Sequence, residues 1–461
     1  MSSRYKTLLK DILIFAFGSF GSKLILFLMV PLYTNYMTES EYGTAELVFT
    51  IAQLLAPFLS VVIFDAIIRF GLSKNEKKEN VLLVGVIIFL GSLVIGAIIT
   101  PIIGLYGTIS EWKWYLYAYV LCNIANNIEL NYLKAKEKNK TYALLSVLQT
   151  GLMAGLNVWF LVYRSLGIQG YLFAYIISNL AIDVFAFITG KVGSDLLKAK
   201  LDKRLLKEMV VYSAPLILNN VSWWVIHSSD KIMVEIMVST TALGIYTVAA
   251  KIPSLINVLV TVFQQAWGIS SVKEIESSND TTYYSNVFRY FFLFTSGCCI
   301  CLVTIMKLFM HYYVGENFSD SWKYVPLLLV SAVFASVASY YGSLYSALKK
   351  SINNMVTTVI AAVINIIVNW VFISIVGIWG AVIGTVIAYI VIADARMYDV
   401  GKYIKIRIDY KKYIMNSSLI IIHAVLVSID WHIYLVSAIA IVSFVVINLT
   451  DIINLFRIEG L

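Results

Sequence analysis

The chain has 461 residues, 60% of them hydrophobic and only 13% charged, with a mean hydropathy of +0.81 and a formal net charge of +8. A soluble domain of this length carries roughly a quarter charged residues to cover its surface, so the composition excludes a water-soluble protein. A pI near 9.0 would suit a nucleic-acid partner, but the basic excess falls in loops between apolar runs. It reads as the charge bias of a multi-pass membrane protein, with no nucleic acid implied.

In chain order, MSSRYKTLLKDILIFAF sets Arg4, Lys6 and Lys10 ahead of an apolar run that no small-residue cleavage site ends. It reads as an uncleaved first span. Fourteen apolar runs follow one another, at 11–34, 43–70, 81–103, 114–133, 141–163, 168–190, 209–237, 242–268, 286–312, 323–347, 352–375, 379–396, 413–429 and 433–455. Each is about the length a helix needs to cross a bilayer. Period-two alternation is absent, so the expected fold is an all-α membrane bundle and not a barrel. Cys122, Cys298, Cys299 and Cys301 all fall inside spans and read as small apolar fillers.

The loops support this segmentation. Loops on the side of the N-terminus carry 26 of the 35 Lys and Arg, from SKNEKKEN and KAKEKNK to RMYDVGKYIKIRIDYKK. The opposite side carries Lys113, Arg164 and Lys323. A misplaced span would scramble this alternation, so both termini are expected in the cytoplasm. The loops on the other side are short, which leaves no room for a folded domain there.

The chain also reads as duplicated. NVWFLVYRSLGIQGYLFAYII (157–177) and NWVFISIVGIWGAVIGTVI (369–387) both contain an Asn, an aromatic pair, a turn and Gly-Ile-x-Gly. The glycines are Gly167 and Gly170 in one copy, Gly377 and Gly380 in the other. Gly43 and Gly244 follow similar polar turns. The expected organisation is a six-span lobe at 1–190, a linker at 191–208, a second six-span lobe at 209–398, and two further spans at 399–461. An even number of spans per unit makes the repeats parallel.

Charges within the spans are the candidate functional groups, because a charge near the bilayer centre costs about 2.5–3.5 kcal/mol on insertion scales. Lys23 lies midway along the first span and Lys251 deep in the eighth. Asp65 and Arg69 lie four apart on one helical face of the second. Glu129 is surrounded in sequence by Asn123, Asn126, Asn127 and Asn131. His227, Asp230 and Lys231 lie in the seventh span. Asp230 and Lys231 point about 100° apart, so at least one needs a partner elsewhere. Arg69, Asp183, Arg289 and Arg396 near span ends are expected to reach the headgroups, and Glu46, Glu235 and Lys307 to be interfacial. If the two units face each other, Lys23, Arg69, Lys231 and Lys251 line one basic cavity that Asp65 and Asp230 partly neutralise. Such a cavity suits a pyrophosphate, which has several charges and many acceptors.

The runs LFLMVPLYTNYMTESEYGTAELVFTIAQLLAPFLSVVIFDAIIRF (26–70) and YSAPLILNNVSWWVIHSSDKIMVEIMVSTTALGIYTVAAKI (212–252) resemble Wzx-type polysaccharide flippases of the multidrug/oligosaccharidyl-lipid/polysaccharide (MOP) exporter superfamily. The resemblance runs nearly the full length and implies a MATE-like, V-shaped transporter of two six-helix bundles with two C-terminal helices added. It implies export of an undecaprenyl-pyrophosphate-linked oligosaccharide by alternating access in a bacterial inner membrane. The basic residues would then hold the pyrophosphate, and Asn127, Trp223, Trp224 and Tyr246 would meet the sugar. Asp65, Glu129 and Asp230 are the candidates for coupling to Na+ or H+. A polysaccharide polymerase and chain-length machinery are the implied partners.

Three alternatives remain open. A lipid II flippase of the same superfamily would share the basic cavity. A multidrug antiporter would need carboxylates to dominate, against the balance seen here. A membrane polymerase or ligase would need a sizeable external loop. The sequence contains no Ser-His-Asp, His-rich metal or Gly-rich phosphate motif. The chain therefore reads as a transporter without an ATP site or resident cofactor, driven by an ion gradient or passive.

Overall fold

The structure is a computed structural model that describes residue 21 and residues 23–73, 75–277 and 281–458. Among these residues it is helical with no strand. Residues 11–20 and 22 of the first apolar run, 11–34, lie outside the described residues; its end forms α1, Val30–Tyr36. The chain then runs through α2 (Glu39–Ser60), α3 (Ile63–Gly71), α4 (Lys78–Ile103), α5 (Lys113–Ala135), α6 (Asn139–Asn157), α7 (Gly167–Gly190), α8 (Val192–Lys198) and α9 (Lys203–Met237). After α9 come α10 (Thr240–Lys251), α11 (Ser254–Ser277), α12 (Thr281–Tyr313), α13 (Val325–Ala347), α14 (Ser351–Val376), α15 (Ile378–Val400), α16 (Tyr410–Ser428) and α17 (Ile433–Ile458). Two compact units result, one ending at Trp224 and the other beginning at Val225, so the division falls within α9.

Eleven of the described helices are long and apolar enough to cross a membrane. Helices α5 and α16 match runs read as spans but fall short of that measure, because Glu129, Lys134 and four Asn dilute α5 and Lys411, Lys412 and Asn416 dilute α16. The helices are apolar outward. Leu90, Val94, Ile98 and Ile102 form an exposed stripe at four-residue spacing along α4, as expected where lipid is the solvent. Polar groups turn inward and join helices. Asn416 on α16 and Asn448 on α17 exchange amide hydrogen bonds at 3.1 and 2.8 Å, and His423 meets Ser437 at 3.1 Å.

The duplication is built into the backbone. Gly167 and Gly377 both take positive φ, +52° and +59°, in the turns that open α7 and α15. Only glycine adopts that region without a steric penalty. The second glycine of each motif allows close packing. A methyl on Gly170 would lie 2.8 Å from Phe160 Cβ, and one on Gly380 would overlap the backbone of Phe372 and Ile373. Gly380→Ala is therefore expected to destabilise the protein by about 3 kcal/mol or more, read as a lowered Tm in detergent, with Gly170→Ala milder. Equal Tm values for Gly380→Ala and wild type would show that the α14–α15 turn yields freely.

Each unit also breaks its second span. The α2 helix starts on a capping box, where Thr38 accepts from the Glu41 backbone at 3.2 Å and Glu41 accepts from the Thr38 backbone at 2.8 Å. It stops at Val61 and Val62, which hold φ of +52° and +53°. β-Branched residues rarely adopt that region. Neighbouring hydroxyls support the break: Ser60 Oγ accepts from Val62 N–H at 3.2 Å, and Ser92 on α4 donates to Leu59 C=O at 2.7 Å. In the second unit, α10 begins on Ser239, which accepts from the Ala242 backbone at 3.0 Å, and ends at Lys251 before Pro253. Pro253 has no N–H to continue the ladder. The two breaks do not coincide: in the register that aligns Gly43 with Gly244, Val61 falls opposite the interior of α11.

The linker is tied to the first unit. Asp195 on α8 accepts from Lys136, with which it forms an ion pair, and from Tyr132 Oη at 2.8 Å; Lys136 also donates to Gly190 C=O at 2.8 Å. Burial alone would raise the Asp195 pKa, but the hydrogen bonds from Lys136 and Tyr132 and the Lys136 charge outweigh it and hold the carboxyl below its usual range. A depressed carboxyl stabilises at every pH above its unfolded value of about 4, and that contribution is lost as pH falls through the lower folded value. Amide exchange in residues 192–208 is expected to quicken in that acid window. Asp195→Asn should show the faster exchange already at neutral pH; unchanged exchange would show that other contacts hold the linker.

Candidate functional site

In the second unit the site is centred on Asp230, which is buried at 3% exposure. Its Oδ2 accepts from Tyr246 Oη on α10 and from Thr385 Oγ1 on α15 at 3.2 Å, and its Oδ1 accepts from the Lys231 backbone N–H at 2.8 Å. Asp230 thus finds partners on two other helices. One turn earlier on α9, His227 Nδ1 and Tyr389 Oη are 2.7 Å apart. Ser229 Oγ donates to Asn365 Oδ1 at 3.1 Å, and Asn369 Nδ2 donates to the same oxygen at 3.1 Å. Asn365 and Asn369 are fully buried, and Asn369 Oδ1 has no hydrogen-bond partner. A methyl on Gly384 would overlap that oxygen, so the glycine lets α15 close onto it.

Lys231 is half-buried on α9. Lys251 is half-buried in the last turn of α10, where Ser254 Oγ caps its carbonyl at 2.5 Å. The partial negative charge of a helix C-terminus favours an ammonium there. Trp223 and Trp224 on the same helix as Asp230 are half-buried, and Trp224 Nε1 donates to Thr50 C=O at 3.0 Å. Tyr246 is 2% exposed, and its hydroxyl is committed to Asp230.

In the first unit Lys23 is exposed on the helical residues that lead into α1. Asp65 opens α3 and Arg69 closes it, each at the end whose dipole favours its charge. They make no ion pair with each other; Asp65 is half-buried and Arg69 exposed. Glu129 is half-buried on α5 and its Oε2 has no hydrogen-bond partner. Nearby Asn126 donates to Asp183 on α7 at 2.9 Å. Asn127 turns back on its own helix, donating to Asn123 C=O at 2.8 Å and Oδ1 at 3.1 Å.

Two sequence-based expectations are corrected. Arg396 does not reach for headgroups. It is 1% exposed and donates to Ala338 C=O at 2.8 Å, Thr358 Oγ1 at 2.8 Å and Thr357 Oγ1 at 3.2 Å. Neutral acceptors on α13 and α14 hold it inside the unit. Glu46 and Glu235 do not face outward either: both are buried in the protein, at 4% and 7% exposure. Tyr171 Oη lies 3.5 Å from Glu46 Oε1, in a cluster where Tyr33, Tyr42, Phe49 and Tyr175 also pack on Tyr171. Lys307 pairs with exposed Asp430 at 2.6 Å.

Sequence reasoning passed over Thr385, Tyr389, Asn365 and Asn369. The signal available was the spacing of the two asparagines, four apart in the otherwise apolar NIIVN, which puts two amides on one helical face.

The family described as polysaccharide biosynthesis protein matches residues 8–268. "Lsg locus putative protein 1" of Haemophilus influenzae is 23% identical over 261 residues, covering 56% of this chain and 64% of its own length. Among solved structures, the lipid II flippase MurJ in an inward closed conformation superposes with a TM-score of 0.73 at 13% identity, covering 96% of this chain and all of that one. An outward-facing multidrug resistance MATE family transporter of the MOP superfamily gives 0.60 at 17% identity, over 86% and 96%. The MATE-like fold implied by the sequence resemblance is borne out. With the family match covering more than half of its length, this chain belongs to the polysaccharide biosynthesis protein family.

Proposed function

We propose that the protein moves undecaprenyl-pyrophosphate-linked oligosaccharide repeat units from the cytoplasmic to the outer leaflet of a bacterial inner membrane by alternating access, with both termini in the cytoplasm. The observation that carries this reading is Lys251, a base held within an apolar span at the interruption of α10, in a member of a polysaccharide biosynthesis family. Lys23, Arg69, Lys231 and Lys251 meet the pyrophosphate during transport, because charge-assisted contacts suit a group with several anionic oxygens. Asn127, Trp223 and Trp224 offer amide and ring surfaces to the sugar. A polymerase and its chain-length machinery would consume the exported unit.

Asp230 is the proposed coupling group, with H+ or Na+ as the ion. The Asp230 carboxylate, the Thr385 hydroxyl and the orphaned Asn369 Oδ1 supply oxygen donors only, which fits a hard cation or a proton. The ion's role would be to neutralise a carboxylate whose burial costs several kcal/mol. Asp65 and Glu129 are the corresponding candidates in the first unit.

The test deletes the gene in its host and measures lipid-linked repeat units together with surface polysaccharide. Repeat units retained inside, with polymer lost outside, support the flippase. Units that reach the outer face unpolymerised point to a polymerase. Arrested peptidoglycan precursor would move the substrate to lipid II, and altered drug sensitivity alone would indicate an antiporter.

A further inference from the structure

A second polar site lies away from these residues, where the loop after α15 meets α12, α16 and α17. A cavity of about 270 Å³ opens there, lined by Arg289, Arg407, Lys412 and Asp451, with Phe292 and Tyr413 among its apolar walls. Asp451 on α17 is 2% exposed; it pairs with Arg289 on α12 and with Lys412 on α16 at 3.0 Å. That arrangement ties three helices together and leaves two cations over one neutralised carboxylate. Asp409 also lines the cavity, but its Oδ1 accepts from the Lys412 backbone at 3.0 Å and caps α16. Arg407 sits exposed at the rim. Ser285 on α12 holds its backbone N–H at 2.8 Å, and among the described residues its guanidinium makes no ion pair.

We propose that this pocket binds the phosphate headgroup of an anionic phospholipid. It has three cations against two committed carboxylates, at the end of the unit that carries the Lys- and Arg-rich loops. Phe288, Phe292, Leu293 and Tyr413 line the same cavity, and a glycerol backbone and the start of an acyl chain would rest on them. A headgroup phosphate at that level meets an arginine whose planar fork can take two oxygens at once. Basic pockets between transmembrane helices at the membrane surface are suited to such headgroups. The occupant would sit on the joint between α12 and the C-terminal helix pair, and would strengthen it.

The experiment uses the full-length protein in detergent and counts retained dioleoyl-phosphatidylglycerol by native mass spectrometry. Phosphatidylcholine is the neutral comparison and inorganic phosphate the soluble competitor. Wild type is expected to retain the anionic lipid about tenfold more tightly than Arg407→Gln, the loss of one charge-assisted contact. Arg407→Lys should recover part of the difference, and phosphatidylcholine should not distinguish the variants. Lys405→Gln, an exposed loop position outside the cavity lining, should bind as wild type does. Equal retention by Arg407→Gln and wild type would overturn the proposal. An equal loss in Lys405→Gln would reduce it to diffuse loop charge, and displacement by inorganic phosphate would make the occupant a soluble anion.

Discussion

Asp230→Asn is expected to stop transport while leaving a folded, membrane-inserted protein. Asparagine keeps the shape of the side chain, and its carbonyl oxygen can still accept from Tyr246 and Thr385. What it loses is the charge. The carboxylate is buried at 3% exposure in a chain whose lipid-facing surface is apolar, so retaining it there costs several kcal/mol that an uncharged residue would avoid. A role in coupling accounts for that cost. Reconstituted liposomes should show transport reduced by tenfold or more, about 1.4 kcal/mol or greater in the barrier. A sodium-dependent rise in Tm that disappears in Asp230→Asn would identify the ion as Na+, and a pH-dependent rise alone would identify it as H+. Transport at the wild-type rate in Asp230→Asn would reduce Asp230 to a structural tie between α9, α10 and α15.

The second large effect is expected at Lys251. Lys251→Ala should abolish export of the lipid-linked unit with the protein still in the membrane, while Lys251→Arg retains part of the activity. Hydrogen bonds between charged groups contribute about 1.5–3 kcal/mol, which corresponds to a loss of roughly ten- to a hundredfold. The helix should survive the change: alanine has the highest helix propensity, and the chain break is fixed by Pro253 two residues on, not by the lysine. Lys23→Ala tests the same idea from the first unit. Normal export by both alanine variants would remove the basic groups from the mechanism.

Much of the fold is legible in the sequence because its signals are local. Lipid requires each crossing segment to satisfy its own backbone hydrogen bonds, so twenty apolar residues become a helix whatever their neighbours. The Gly-Ile-x-Gly turns are local as well, and Gly167 and Gly377 take the same positive φ because each reverses the chain between packed helices. The broken second spans were less visible. Pro253 announces one break, but the left-handed pair Val61 and Val62 has no residue-level cue, and it depends on a serine from α4 to satisfy a freed carbonyl.

The sequence by itself determined the solvent, the helical class, the duplicated plan and the residues costly enough to need a function. Only the tertiary structure decided which of those residues meet. Asp230 finds its partners 16 and 155 residues away, and Arg396 finds acceptors 38 to 58 residues away. The same packing turned Glu46 inward among tyrosines. The physical reason is that a buried polar side chain must be hydrogen-bonded, but any donor or acceptor on a neighbouring helix will serve. The need is written in the residue type, and the partner is chosen by how the helices pack.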